Sequence, residues 1–388
     1  MQLSSSIKIR IAVLVYLLAG FLITLQSIYY SGHSETTIPM SYNNYRIFKA
    51  SAVHLLHHQD LYQAYPSSHW DLYKYSPTFA LLFTPFQVLP DFMGLFCWNS
   101  LNMLLLLLAF LKLPFYSLKS RLLALGFISI ELVTATQNAQ SNALIAALAV
   151  LAWIQFEKKQ VFWAAVLIAL SAFIKVYGLG IAVLFLFYPN RFKFAIYLTL
   201  SLLVLTFLPL VVLPFSELLG LYKNWWELIK NDQSTTWGLS IIGFFYGVLG
   251  IALPKSATAL VGLLLLMPGL LCILKNNKFR NRLTFCAAFL IWLIVFNFRS
   301  ESPTYIIAVS GVAIWAFGPL RHSNSRLLLT LLVFLGSSLV TTDLIPFPNK
   351  RLWLYDYALK SLPCALVYFK ICYDFAVEYY FSLGIKKA

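Results

Sequence analysis

Hydrophobic residues along this chain come in unbroken runs rather than in alternation. IAVLVYLLAGFLITLQ, LNMLLLLLAFL, AIYLTLSLLVLTFLPLVVL and ALVGLLLLMPGLLCIL carry no regular polar face. Runs of this kind suit an α-helix crossing about 30 Å of hydrocarbon, which takes roughly 20 residues. The two-residue period of an outer-membrane barrel strand is absent. The pattern therefore predicts an all-α integral membrane protein, a polytopic bundle of about 12 transmembrane helices in a single domain over 1–388. Its first span is expected over 8–29, a polar outer-face loop over 30–76, and the remaining spans over 77–382. Pro77–Leu89 and Gly238–Leu253 are short and bounded by proline, so each is expected to be a half-span or a surface helix.

One polar stretch breaks the pattern in an informative way. From Asn43 to Phe86 the chain carries Arg46, Lys49, Asp60, Asp71 and Lys74, most of its histidines and a dense set of tyrosines. Within it Tyr45, Phe48, Ala52, Leu55 and Leu56 recur at helical spacing, with Arg46, Lys49, His54, His57 and His58 opposite. That predicts an amphipathic helix over 44–58, lying in the membrane interface with its apolar side in lipid or on the bundle. His54, His57 and His58 stand at i, i+3, i+4, a spacing that can hold a divalent metal, although solvated interfacial histidines account for it as well. No metal site is assigned. Asp60, His69 and Asp71 cluster only in sequence.

Composition agrees with the runs. Hydrophobic residues are 60% and charged residues 11% of 388, against roughly 25% charged in soluble domains. The net charge of +15 is no nucleic-acid signature, because the basic residues sit in short clusters between apolar runs. These are Lys8 and Arg10; Lys112, Lys119 and Arg121; Lys158 and Lys159; Arg191 and Lys193. Lys275, Lys278, Arg280 and Arg282, then Arg321 and Arg326, then Lys386 and Lys387 follow. By the positive-inside rule they mark cytoplasmic loops and two cytoplasmic termini, with anionic lipid as a partner on that face. The first run follows Lys8 and Arg10 without a small-residue cleavage site, and reads as a retained span. Cys97, Cys272, Cys286, Cys364 and Cys372 all lie in apolar runs and read as packing residues.

The remaining loops then fall to the outer face: 29–76, the QNAQSN segment at 137–142, 214–237, the RSESP segment at 299–303, and 343–354. Asp60, Asp71, Glu217, Glu227, Asp232, Glu301, Asp343 and Asp356 lie in or beside them. Acidic and aromatic residues opposite a basic inner face place the chemistry at the outer leaflet. An outer-face site without a processed leader fits a bacterial inner membrane.

Several motifs in order resemble glycosyltransferase family 87, the DUF2029 proteins. NYRIFKASA, DLYQAYP and YKYSPTFALLFTPFQVLP are similar to the family's opening. TQNAQSNALIAAL, AFIKVYGL and NDQSTTWGLSIIGFF resemble three later segments, so the likeness runs over most of 8–320. It implies a GT-C-like fold and an inverting transfer of a hexose, mannose-like, from a polyprenyl-phosphate donor to a lipid or glycan acceptor. The donor is then a co-substrate, and no cofactor is implied.

Such a transfer needs a base for the acceptor hydroxyl and a cation for the departing phosphate. Lys175, a lone lysine between apolar runs, is the first phosphate candidate, and a snorkelling lysine is the bland alternative. Arg299 is the second, through its bidentate guanidinium. Gln137, Asn138, Gln140 and Asn142 form a polar knot suited to sugar hydroxyls or to helix-to-helix hydrogen bonding; Tyr75 joins Gln137, Gln140 and Asn142 as a sugar or acceptor contact. The acidic position of the family falls on Asn44, or on Asn43 one register away, and an amide accepts no proton at neutral pH. Three readings follow: a substitute carboxylate, a transfer needing no strong base, or a relative that binds lipid-linked sugar without catalysis. Glu301 and Asp71 are the preferred substitutes, while Asp60 is expected to belong to a helix end. A transporter or flippase for a lipid-linked saccharide, and a GT-C-like glycan polymerase or ligase, are the alternatives.

Overall fold

Helix boundaries follow local chemistry. In the computed structural model, which describes residues 4–33, 41–114, 116–231, 237–319, 323–346 and 348–382, every regular element among those residues is helical. The Ser4 hydroxyl caps α1 (Ser5–Gly32) by accepting from the Ile7 amide, supplying one of the acceptors a helix start lacks. The polar loop then folds as α2 (Asn43–Leu56), α3 (Pro77–Leu82) and α4 (Thr84–Gln87). Ser76 caps α3 and Pro77 opens it, the position at which proline costs no hydrogen bond. Next come α5 (Asp91–Leu111), α6 (Leu118–Gln137), α7 (Asn142–Glu157) and α8 (Val161–Ile174). A tight 3-10 stretch, Val176–Phe187, leads to α9 (Arg191–Phe207) and α10 (Phe215–Asn231). The chain ends through α11 (Ile241–Leu249), α12 (Lys255–Leu264), α13 (Met267–Lys275), α14 (Phe279–Val295), α15 (Tyr305–Phe317), α16 (Asn324–Leu332) and α17 (Ser361–Ser382).

By length and composition, four segments among the described residues can cross a membrane: Ser5–Gly32, Asp91–Leu111, Arg191–Val211 and Lys255–Lys275. Others are apolar but shorter, including α7 and α8. Within the last of the four, α12 stops at Leu264 and α13 starts at Met267, with Pro268 in the first turn of the new helix. Leu14, Val15, Leu18 and Leu22 of α1 stand exposed, as do Leu203, Val204 and Phe207 of α9. Side chains like these suit hydrocarbon and would be a liability in water.

Packing gathers the chain into two compact units, residues 1–112 with 132–233, and residues 113–131 with 234–388. In the first, α7 is the centre, packed against α5 and α8 and buried along nearly its whole length. α1 lies on α5, and α9 on α8. In the second, α14 pairs with α15, and α17 packs on α13 and α14.

The amphipathic helix expected over 44–58 is α2, and it starts at Asn43 and stops at Leu56, with His58 already at φ +58°. Its apolar side faces protein. Tyr45, Phe48, Ala52 and Leu55 are fully buried, and Phe48 meets Tyr75, Phe79, Phe83 and Trp98 edge to face. The proline-bounded stretch after it forms the short helices α3 and α4, and Gly238–Leu253 yields α11, which ends on Gly250 at φ +67°. Asp232 and the rest of DQSTT (232–236), Arg321, Lys386 and Lys387 lie outside the described residues.

Candidate functional site

In the first unit, three segments distant in sequence converge on the start of α7. Asn142 is the first residue of that helix and is wholly buried. Its side-chain oxygen accepts a hydrogen bond from Lys175 Nζ at 2.7 Å and a longer one from the Tyr177 hydroxyl at 3.4 Å. Its amide nitrogen donates to the Gln140 side-chain oxygen. Lys175 ends α8 in extended conformation, so its side chain leaves the helix axis. The Tyr75 and Tyr177 ring centroids lie 5.9 Å and 5.8 Å from its ammonium, within cation–π reach. Ser76 joins the segments: its hydroxyl donates to the Phe173 carbonyl at 2.6 Å while it also caps α3. The Tyr62 hydroxyl donates to the Tyr75 carbonyl at 3.0 Å.

The site thus unites Lys175, Asn142, Gln140 and Tyr75, and adds Tyr177, which the sequence did not single out. Its composition suits an anion carrying a polar ring. The first amides of α7 and the Lys175 ammonium both favour negative charge, while amide groups and tyrosines supply donors and flat faces for a sugar.

The other half of the polar knot does different work. Ala139 turns the chain through φ +49°, so Gln137 reaches the Gln26 side-chain oxygen at 3.0 Å, whereas Gln140 faces Asn142. Asn44, at the position expected to be acidic, donates its amide to the Asn138 carbonyl at 2.9 Å. It ties α2 to the turn that precedes α7. Asn43 accepts from the Trp70 amide at 3.0 Å.

The candidate carboxylates are structurally distinct. Asp71 is exposed; it accepts from the Leu72 amide at 2.7 Å and lies 3.4 Å from Lys74 Nζ. Asp60 accepts from the Tyr62 amide at 3.0 Å and from Asn224 of α10 at 3.1 Å, and so knits the loop that follows α2. The histidines in and just beyond α2 diverge. His54 stacks on Tyr65 with centroids 3.8 Å apart, and His58 reaches Glu217 at 2.6 Å.

In the second unit, Glu301 is exposed, and its backbone N–H donates to Thr304 Oγ1 at 3.2 Å. Arg299 stands exposed beside it with its guanidinium 5.4 Å from the Phe298 ring centre. A buried ion pair in this unit, Glu131 with Lys360, escaped the sequence reading. Its signal was available, because each is a single charge inside an apolar run.

The described residues form helices only, some of them apolar and long enough to cross a membrane, which marks a membrane protein. The family model for glycosyltransferase family 87 matches residues 73–342, more than half of the chain, and the chain belongs to that family. It is a glycosyltransferase by class. The matched region contains Tyr75, Gln137, Gln140, Asn142, Lys175, Arg299 and Glu301, and begins just after Asp71. No protein of curated function matches the chain in sequence.

Proposed function

We propose that this glycosyltransferase moves a mannose-like hexose, with inversion, from a polyprenyl-phosphate donor to a lipid or glycan acceptor at the outer face of a bacterial inner membrane. The full bundle on this reading is GT-C-like with about 12 crossings and both termini in the cytoplasm. The observation that carries the proposal is the placement of Lys175 on the first residue of α7 between two tyrosine rings. Lys175 binds the donor phosphate and stabilises it as it leaves. Gln140, Asn142 and Tyr75 contact sugar or acceptor hydroxyls, and Arg299 is a second phosphate cation. Asp71 and Glu301 are the two carboxylates proposed as general base, since Asn44 cannot serve. The lipid-linked sugar is a co-substrate on this reading, which invokes no cofactor.

The test is transfer from a labelled polyprenyl-phospho-hexose to lipid acceptors by purified protein in detergent. Transfer that survives Glu301→Gln combined with Asp71→Asn would remove both from the role of base. The Asn44 hydrogen bond favours one second reading, a lipid-linked-sugar carrier that binds without transferring. Movement of the donor across liposomes with no covalent product would establish it.

A further inference from the structure

Glu131 of α6 and Lys360, just ahead of α17, have side chains that are 0% and 1% exposed. The Lys360 ammonium lies 3.0 Å from Glu131 Oε1 and 3.1 Å from Oε2, with hydrogen-bond geometry to the second. The same ammonium donates to Ser302 Oγ at 2.7 Å and reaches the Ser302 carbonyl at 3.4 Å. The Tyr305 ring covers it at 5.0 Å. Burying such a pair costs desolvation, and apolar side chains of equal volume often stabilise a core as well or better. Stability alone is therefore a poor account of it. What the pair does deliver is an ammonium at a fixed point, aimed at Ser302.

Ser302 adjoins Glu301, and the residue on the other side is anchored too. Ser300 Oγ donates to the Leu239 carbonyl at 2.9 Å, and the Leu239 amide donates to the Ser300 carbonyl at 2.8 Å. Gly238 makes that pairing possible. It sits at φ +59°, and a Cβ there would come within 2.8 Å of the Phe298 carbonyl carbon. The exposed Glu301 side chain is thus carried on a short segment held at both ends.

We infer that the Glu131–Lys360 pair is a positioning device: by gripping Ser302 it fixes the segment that presents Arg299 and Glu301. The role assigned to that segment rests on the transferase reading above. The pair itself touches no substrate, and Lys360 acts through Ser302.

Lys360→Met alone would strand a buried carboxylate and risks unfolding the protein. The informative variant is Glu131→Gln with Lys360→Met, which removes both charges at similar volume, alongside Ser302→Ala. Both are compared with wild type by amide hydrogen exchange, thermal melting and transfer kinetics in detergent. Exchange at residues 299–302 is expected to accelerate by about tenfold or more while the rest of the second unit keeps its protection. The kcat for transfer is expected to fall about tenfold, with a smaller rise in donor KM because the same segment carries Arg299. Unchanged exchange at 299–302 in both variants overturns the inference, and so does a uniform loss of protection with a lowered melting point. If wild-type protein transfers no sugar, the transferase reading fails, and exchange alone still decides whether the pair holds the segment.

Discussion

The Lys175 ammonium rests 2.7 Å from the side-chain oxygen of Asn142, the residue that opens the central buried helix of the first unit. A cation and a helix N-terminus reinforce each other there. Replacing Lys175 by Met keeps the length of the side chain and removes the charge. Transfer is expected to fall by about 100-fold, roughly 2.7 kcal/mol of lost transition-state stabilisation. Asn142→Asp is the sharper probe. It converts the hydrogen bond into an ion pair, neutralises the lysine, and should raise donor KM by about tenfold or more with the fold intact. Unaltered donor KM in Asn142→Asp would separate this pair from donor binding.

Asn44 joins α2 to the turn after α6 through its amide N–H. A carboxylate at that position has no proton to donate and faces a carbonyl oxygen. Asn44→Asp is therefore expected to lower stability by about 1 kcal/mol, seen as a lower melting temperature, and to leave transfer no faster. A clear gain in transfer would make position 44 a place where a base acts, and would move the general base away from Asp71 and Glu301.

Much of this was legible in the residues, and the illegible parts have physical causes. The first span and α2 followed from period and length, and Ser76 with Pro77 announces the start of α3. The knot QNAQSN was visibly polar, yet its division was hidden: an alanine at φ +49° makes the turn, and alanine gives no sign of a left-handed backbone, as glycine or asparagine would. Lys175 stood out as a lone charge among apolar runs, and its neighbour Tyr177 did not, because a tyrosine in such a chain is unremarked. Glu131 and Lys360 were each conspicuous by the same argument as Lys175. Their pairing across 229 positions is a matter of tertiary packing that no local pattern encodes.

Gly178 follows the site by one residue. A Cβ there would stand 2.7 Å from the Ser171 carbonyl carbon and 2.8 Å from its oxygen, and backbone atoms of α8 have little room to retreat. Gly178→Ala should push the 3-10 stretch off α8 and carry Tyr177 away from Asn142. The expected outcome is a loss of transfer of about tenfold, with a smaller change in melting temperature than a core truncation gives. Full activity in this variant would show that Tyr177 is not needed where it lies.

The loop behind α2 should loosen in mild acid. His54 stacks on Tyr65, and His69 donates through Nδ1 to the Asp71 carbonyl at 2.7 Å. Burial is the main cause that holds both imidazoles below their ordinary value of 6.5. The charges of His69 and His57 push His54 the same way, while Asp71 opposes the effect on His69 without cancelling it. The unfolded chain takes up both protons near the ordinary value, and the folded chain resists to lower pH. Between those points the unfolded state binds more protons, so stability must fall as pH falls and level off once the folded imidazoles also protonate. Amide exchange over residues 54–71 is expected to quicken from about pH 7 to about pH 5. His54→Gln combined with His69→Gln should flatten that dependence, leaving the pH response of the rest of the first unit unchanged. A loop whose exchange, corrected for intrinsic rate, stays constant across this window in wild-type protein would show that the two imidazoles protonate freely in the folded state.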